Sequence, residues 1–266
     1  MTEARHNWHR ALFRKSVLKQ TKWRAIRSML PAESDIRGLD LGSDNGVMSL
    51  MLRERGGSWC SADLDEETVA SIRELVGTDV YATDGQMLPF PDGNFDVVVV
   101  IDMFEHVERD DLLVREIHRV LRKGGRLVAV VPHLKWRSPL RWLRLAVGLT
   151  DEWHGHLRPG YTRSDIDALL RPCFDVDARR TYNRAFSELL DIALNFVIER
   201  KRRTPRTRSS KGNVMTQDKF ARLQKTFRLY ARIYPLMWLF CQLDRIWPAE
   251  GYQMIVSASA RDTISS

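Results

Sequence analysis

The chain has 266 residues, of which 44% are hydrophobic and 29% charged, ordinary values for a soluble globular protein with room for one large core and a sizeable insertion. A formal net charge of +8 and a pI near 9.6 make an anionic partner plausible: nucleic acid, a membrane surface or an acidic substrate. Three scattered cysteines, Cys60, Cys173 and Cys241, argue against a disulfide framework or a zinc site and fit buried thiols in a reducing cytoplasm.

The charge is unevenly placed. Up to Arg37 there are nine Lys/Arg against three Asp/Glu, and from Asn183 to Glu250 fourteen against six, so the basic character sits in two flanks around an acidic middle. The N-terminus has no apolar run of the kind a secretory signal needs. No stretch approaches the roughly 20 apolar residues that span a bilayer, and the nearest, Ile233 to Leu243, contains a proline.

In chain order, Trp8, Leu12, Val17, Trp23, Ile26 and Leu30 fall near helical spacing among basic residues and Pro31 ends the pattern, predicting amphipathic helices over residues 1–35 that pack on the outside of the main domain. A regular alternation follows. Strands are predicted at Ile36–Leu41, Trp59–Leu64, Asp79–Ala82, Phe95–Ile101 and Arg126–Val131, with helices at Gly46–Arg55, Glu66–Val76 and Arg109–Leu121. Lys123-Gly124-Gly125 reads as the C-cap of the last helix. The apolar run Val97-Val98-Val99-Val100-Ile101 is that of a strand buried on both faces. The series predicts an α/β fold, a doubly wound, mostly parallel sheet with helices on both faces.

Beyond Pro132 a helix is expected over Trp136–Leu149, then a loop through Asp151-Glu152-Trp153-His154-Gly155-His156. Thr162 reads as an N-cap with Asp165 at N3, leading into a helix at Ile166–Leu170. Phe174–Tyr182 alternates as a strand. Residues 183–249 read as a helical insertion: a helix at Phe186–Ile198, a basic stretch from Glu199 to Gly212 expected to be a mobile loop, and a helix at Lys219–Leu243 that Pro235 should kink or divide. A final strand at Tyr252–Ala260 returns to the sheet, so the main domain is expected to comprise residues 36–182 and 250–262.

The chemistry is expected at the strand ends. Arg37-Gly38-Leu39-Asp40-Leu41-Gly42-Ser43-Asp44-Asn45-Gly46 is a strand running into a small-residue turn and a helix, where an α/β sheet brings backbone close to a nucleotide-like ligand. Asp63, about twenty residues on, ends the second strand, where a carboxylate can accept from both ribose hydroxyls. Thr83-Asp84-Gly85 closes the third strand within reach of an adenine edge. Ile101-Asp102-Met103-Phe104-Glu105-His106-Val107 ends the fourth, and Val120-Leu121-Arg122-Lys123-Gly124-Gly125-Arg126-Leu127 leads into the fifth.

From Leu39 to Pro132 the chain resembles the class I S-adenosylmethionine-dependent methyltransferases, a Rossmann-like fold of seven strands, and in particular the group with an LPFPDGNFDVV…EHV…VLRKGGRLV core, present here from Leu88 to Val128. The resemblance implies S-adenosylmethionine as cofactor, with Asp40, Gly42 and Gly46 at its methionine end, Asp63 and Leu64 at the ribose, Asp84 and Gly85 at the adenine, and Asp102 near the methyl-transfer face. The turn departs from the family's Gly-x-Gly-x-Gly. Its middle glycine is Asp44, which brings a side chain and a charge to the ligand, while Asn45 can take a positive φ in compensation.

Methyl transfer to a hydroxyl needs alignment and usually a base. The candidates are His106, His133, His154 and His156, with Trp153-His154-Gly155-His156-Leu157-Arg158 expected to form an acceptor lid. No metal is expected at His154 and His156, because no third ligand is apparent. Phe227 to Phe240 is apolar and aromatic, rimmed by Arg222, Lys225, Arg228, Arg232 and Arg245, which predicts either a helix buried against Phe186–Ile198 or a surface that lies on an anionic membrane. The leading expectation is O-methylation of a small-molecule or lipid-linked acceptor by a cytoplasmic, peripherally membrane-bound enzyme. A nucleic-acid methyltransferase is the second, disfavoured because the fourth strand lacks the Asn/Asp-Pro-Pro-Tyr phrase of amino-directed enzymes. A non-catalytic scaffold is the third.

Overall fold

The computed structural model describes residues 9–33, 35–43, 45–200 and 224–263. Asp44 and the basic stretch 201–223, on which two of the expectations above rest, lie outside the described residues, as do residues 1–8.

After a helical stretch at residues 9–14, α1 (Val17–Arg27) begins at Ser16, whose hydroxyl accepts from the Lys19 amide. Then follow β1 (Arg37–Leu41), α2 (Val47–Arg55), β2 (Ser58–Asp63), α3 (Glu66–Val76), β3 (Val80–Ala82), β4 (Phe95–Ile101), α4 (Asp110–Val120) and β5 (Leu121–Pro132). Downstream are α5 (Pro139–Ala146), α6 (Asp151–His154), α7 (Arg163–Leu170), β6 (Phe174–Tyr182), α8 (Ala185–Arg200), α9 (Gln224–Gln242) and β7 (Gln253–Ala260). The strands form one seven-stranded sheet in the order β3-β2-β1-β4-β5-β7-β6, parallel except for β7, which runs antiparallel to both β5 and β6. The expected mostly parallel, doubly wound sheet is therefore present.

Strand periodicity explains the layers. Leu39, Leu41, Val98, Val100, Leu127, Ala129 and Val131 turn to one face, where they pack against Leu113, Ile117 and Val120 of α4 and Ile166 and Leu170 of α7. Val97, Val99, Val128, Val130 and Ile255 turn to the other, against Met48 and Leu52 of α2 and Ile26 of α1. Ile26 is fully buried, so α1 is part of the core layer over the sheet.

Several boundaries differ from those expected. α4 stops at Val120, where Leu121 turns extended, and Lys123-Gly124-Gly125 falls inside β5, beside a register shift opposite Phe95 and Val97, so it is not a helix cap. Asp151 to His154 is a turn of helix, because Thr150 caps it through its hydroxyl and Gly155 closes it in the left-handed region. The helix expected over Trp136–Leu149 shrinks to Pro139–Ala146. α9 continues through Pro235 as one helix. Thr162 and Asp165 form the expected capping box.

Candidate active site

β1 and β4 are neighbours from which the connections depart in opposite directions, and the crevice beyond their carboxyl ends is where such sheets bind ligands. Asp40, in β1, is fully buried, and its carboxylate is taken up internally: Ser43 and Ser49 donate to Oδ1 at 2.5 and 2.7 Å, Ser61 donates to Oδ2 at 2.7 Å, and Arg53 stands 3.5 Å away. Its part is to shape the turn from within. Gly42 (φ 83°) and Gly46 (φ 77°) carry positive backbone angles. Gly46 precedes α2 without a side-chain cap, and a Cβ there would come 3.0 Å from the Ile72 backbone.

Asp63, at the end of β2, is fully buried, and its Oδ1 accepts from the Leu64 amide at 2.8 Å. Asp84 is exposed and accepts from the amides of Gln86 and Met87 at 2.8 and 2.9 Å; the Met87 bond and then the Gln86 bond hold its carboxyl below the usual range. Gly85 (φ 76°) lies against Val107, whose Cγ1 would be 2.5 Å from a Cβ. Asp102 takes φ 44°, a strained angle for a non-glycine residue, and is ion-paired with Lys22 of α1. Glycine turn, Asp63, Asp84 and Asp102 thus line one edge of the sheet, with left-handed glycines where backbone must approach a ligand and a buried carboxylate at the end of β2. This arrangement fits S-adenosylmethionine.

Next to Asp102 is a cavity of about 410 Å³. Its walls come from α1 (Lys19, Lys22), the segment after β4 (Glu105, His106), the end of β5 (His133, Lys135), α5 and α6 (Arg144, His154), and α8 (Glu188, Asp191). Paired charges line it: Lys135 on Glu188 at 2.7 Å, Arg144 on Asp191 at 2.6 Å, and Arg141 on Asp151 at 3.6 Å. Tyr252, also in the wall, has its phenol pushed well above its ordinary range by burial and then by Asp191, so it stays protonated at neutral pH. A second concavity, about 450 Å³, follows the outer edge of β6 away from the strand ends.

All four candidate histidines line the cavity, in two settings. His133 is buried, with Nδ1 on the Gly251 carbonyl at 2.9 Å and Nε2 3.6 Å from Glu250, tying the end of β5 to the chain entering β7. His106, His154 and His156 cluster: ring centroids are 4.9 Å apart for His106 and His156 and 5.2 Å for His154 and His156. Arg158 does not face the cavity as part of a lid. It pairs with Asp110 and donates to the Val107 carbonyl at 2.9 Å, while Tyr161 donates to Asp110 at 2.7 Å, anchoring the histidine segment to α4. Glu105, fully buried, joins His106 and His156 with ligand atoms all within 4.8 Å of one another. A group of three metal-type ligands is therefore present, made of Glu105, His106 and His156 rather than of His154 and His156 with a third residue. Its only signal in the chain is the dipeptide Glu105-His106, fifty residues from His156.

Residues 39–129 match a family model described as a methyltransferase domain. Among curated relatives, a demethylmenaquinone methyltransferase of Thermus thermophilus is 38% identical over 101 residues, which are 35% of this chain and 46% of that protein. A ubiquinone biosynthesis O-methyltransferase of Pseudomonas aeruginosa is 31% identical over 140 residues, 50% of this chain and 58% of that protein. The chain spans about half the length of these curated relatives. The solved structure of an S-adenosylmethionine-dependent methyltransferase from Mesorhizobium loti superposes with a TM-score of 0.54 at 21% identity, covering 90% of this chain and 97% of that one. Residues 39–129 thus resemble a methyltransferase domain, and the chain shares the fold of that solved structure.

Proposed function

We propose that the protein transfers a methyl group from S-adenosylmethionine to a hydroxyl oxygen of a small or lipid-linked acceptor whose polar head occupies the cavity beside Asp102. The observation that carries this reading is the polar cavity, walled by paired charges and four histidines, at the same sheet edge as the glycine turn and Asp63. Bound there, S-adenosylmethionine would supply an electrophilic methyl carbon on a sulfonium, with the thioether as leaving group. In this reading Asp63 would hold the ribose hydroxyls, Asp84 and Gly85 the adenine, and the turn Gly42–Gly46 the amino-acid end. The acceptor hydroxyl loses its proton at the Glu105, His106 and His156 cluster, and His133 holds the end of β5 in register.

An amphipathic acceptor accounts for the rim. Arg141 lines the cavity and lies over the ring of Trp136, and α8 carries Asp191 and Asn195 in the wall and exposed Val197 and Ile198 a turn further on. Trp142 (64% exposed), Leu236 (69%) and Ile246 (80%) extend this apolar surface, far more than a solvated rim needs. Among the described residues no helix is long and apolar enough to cross a membrane. The pattern suits a protein that lies on a membrane, with Arg228, Arg232 and Arg245 toward anionic headgroups.

Titration of the purified chain with S-adenosylhomocysteine tests the reading. We expect saturable binding with one site per chain; absence of heat at about 1 mM ligand, a free energy near 4 kcal/mol, would remove it.

A further inference from the structure

The cluster of Glu105, His106 and His156 has more structure than a general base requires. We propose that it is a divalent-cation site in the cavity wall, and that the cation takes the acceptor's hydroxyl oxygen in an open coordination position. The site can exist whatever the reaction, but its assignment to a hydroxyl acceptor rests on the methyl-transfer reading.

Three observations carry it. The ligand atoms of the three side chains lie within 4.8 Å of one another, although they come from segments fifty residues apart. A cation about 2.1 Å from each ligand needs those atoms about 3.4 Å apart, so binding draws them together by at most about 1.4 Å. The two segments are already tied at this point, since the Leu157 amide donates to the Glu105 carbonyl at 2.8 Å.

The histidine tautomer is suited to ligation. His106 Nδ1 lies 3.0 Å from the Gly155 carbonyl, which can only accept, so Nδ1 carries a proton and Nε2 is the ring nitrogen left to ligate. A ligating histidine typically donates its other ring nitrogen to just such a carbonyl. His154 stands outside the set: Arg144 donates toward its Nε2 at 3.3 Å, and its ring stacks on His156 at 26°.

Two imidazoles and one carboxylate make a mixed donor set that suits a first-row divalent ion such as Mn²⁺ or Zn²⁺ better than an all-oxygen ion. Three protein ligands leave positions open, as in catalytic sites, and the cavity is what those positions face. A hydroxyl bound to a dication is far more acidic than a free one, much as zinc brings its bound water down to a pKa of about 7. The proton passes to bulk water, and the retained oxygen lone pair is then available to form the new carbon–oxygen bond as carbon–sulfur breaks.

The test uses the full-length chain stripped with EDTA and desalted, titrated with MnCl₂ followed by electron paramagnetic resonance of free Mn²⁺ and with ZnCl₂ by calorimetry, in parallel with S-adenosylhomocysteine. One ion per chain is expected, with His156→Ala and Glu105→Gln each weakening it by about tenfold or more while S-adenosylhomocysteine binding is retained. His156→Ala removes a part-exposed ring and keeps the test usable should the buried Glu105→Gln fail to fold. Failure of both ions to bind stoichiometrically at about 1 mM, or binding that neither substitution weakens, overturns the cation site. Ion binding in a chain that ignores S-adenosylhomocysteine supports the site and defeats the methyl-transfer reading, so the two failures are distinguishable.

Discussion

Lys22 of α1 is ion-paired with Asp102 at the end of β4, joining residues eighty positions apart across the mouth between glycine turn and cavity. Both side chains are mostly buried, at 18% and 25% exposure, and Asp102 sits at φ 44°. Lys19, one turn earlier, lies 3.4 Å from Asn45, so the same helix touches the turn as well. α1 therefore closes the ligand crevice from above, while Ile26 fastens it to the sheet.

Removing the lysine should loosen that closure and leave Asp102 without its cation. Lys22→Ala is expected to destabilise by about 1–3 kcal/mol, as for a mostly buried charge that loses its partner, and to speed amide hydrogen exchange across Val17–Arg27. Exchange in α1 that matches the unsubstituted chain would show that the pair does not hold the helix.

Asp63 provides the sharpest test of the cofactor edge. Asp63→Asn keeps the volume and one acceptor but loses the charge, and S-adenosylhomocysteine affinity should fall about ten- to a hundredfold, the cost of about 1.5–3 kcal/mol for hydrogen bonds to a charged group. Calorimetry measures it directly. An affinity within about twofold, less than 0.5 kcal/mol, would take Asp63 out of the ribose site.

Gly85→Ala should lower stability by about 1–3 kcal/mol, because its φ of 76° disfavours a side chain and Val107 already occupies the space. A thermal melt reports it. The neighbouring Asp84 adds a pH dependence of known sign. Its carboxyl is held below its ordinary range in the folded chain, so its contribution is present above the unfolded carboxylate pKa of about 4 and is lost as pH falls through the lower folded value. Asp84→Ala should accordingly lower the melting temperature at pH 7 and change it little at pH 2; an equal loss at both would contradict the charged turn.

The exposed apolar rim makes a prediction about surfaces. The chain should float with vesicles containing anionic lipid and be released as salt rises, and Leu236→Glu with Ile246→Glu should abolish flotation without lowering the melting temperature, since both positions are largely exposed. A chain that never floats with such vesicles would leave the apolar surface to another role.

Much of the domain is legible in the chain because strand and helix periods are local. Phe95–Ile101, Phe174–Tyr182 and Glu66–Val76 have the boundaries their patterns predict. The C-cap reading of Lys123-Gly124-Gly125 failed because pairing with β4 draws those glycines into a strand bulge, a non-local demand that outweighs local cap chemistry. The helical turn at Asp151–His154 was missed because four residues give too short a pattern to show a period, although Thr150 and Gly155 were its caps.

Sequence alone determined the alternation of strands and helices, the order of the motifs and the acids that end β2, β3 and β4, since each depends on residue type at fixed local spacing. Tertiary structure decided which of those groups meet. It turned Asp40 inward to three serines, set Lys22 on Asp102, spent Arg158 on an anchor to Asp110, and brought Glu105 and His106 to His156. Contacts between segments tens of residues apart are fixed by how helices pack on a twisted sheet, and no local spacing records that.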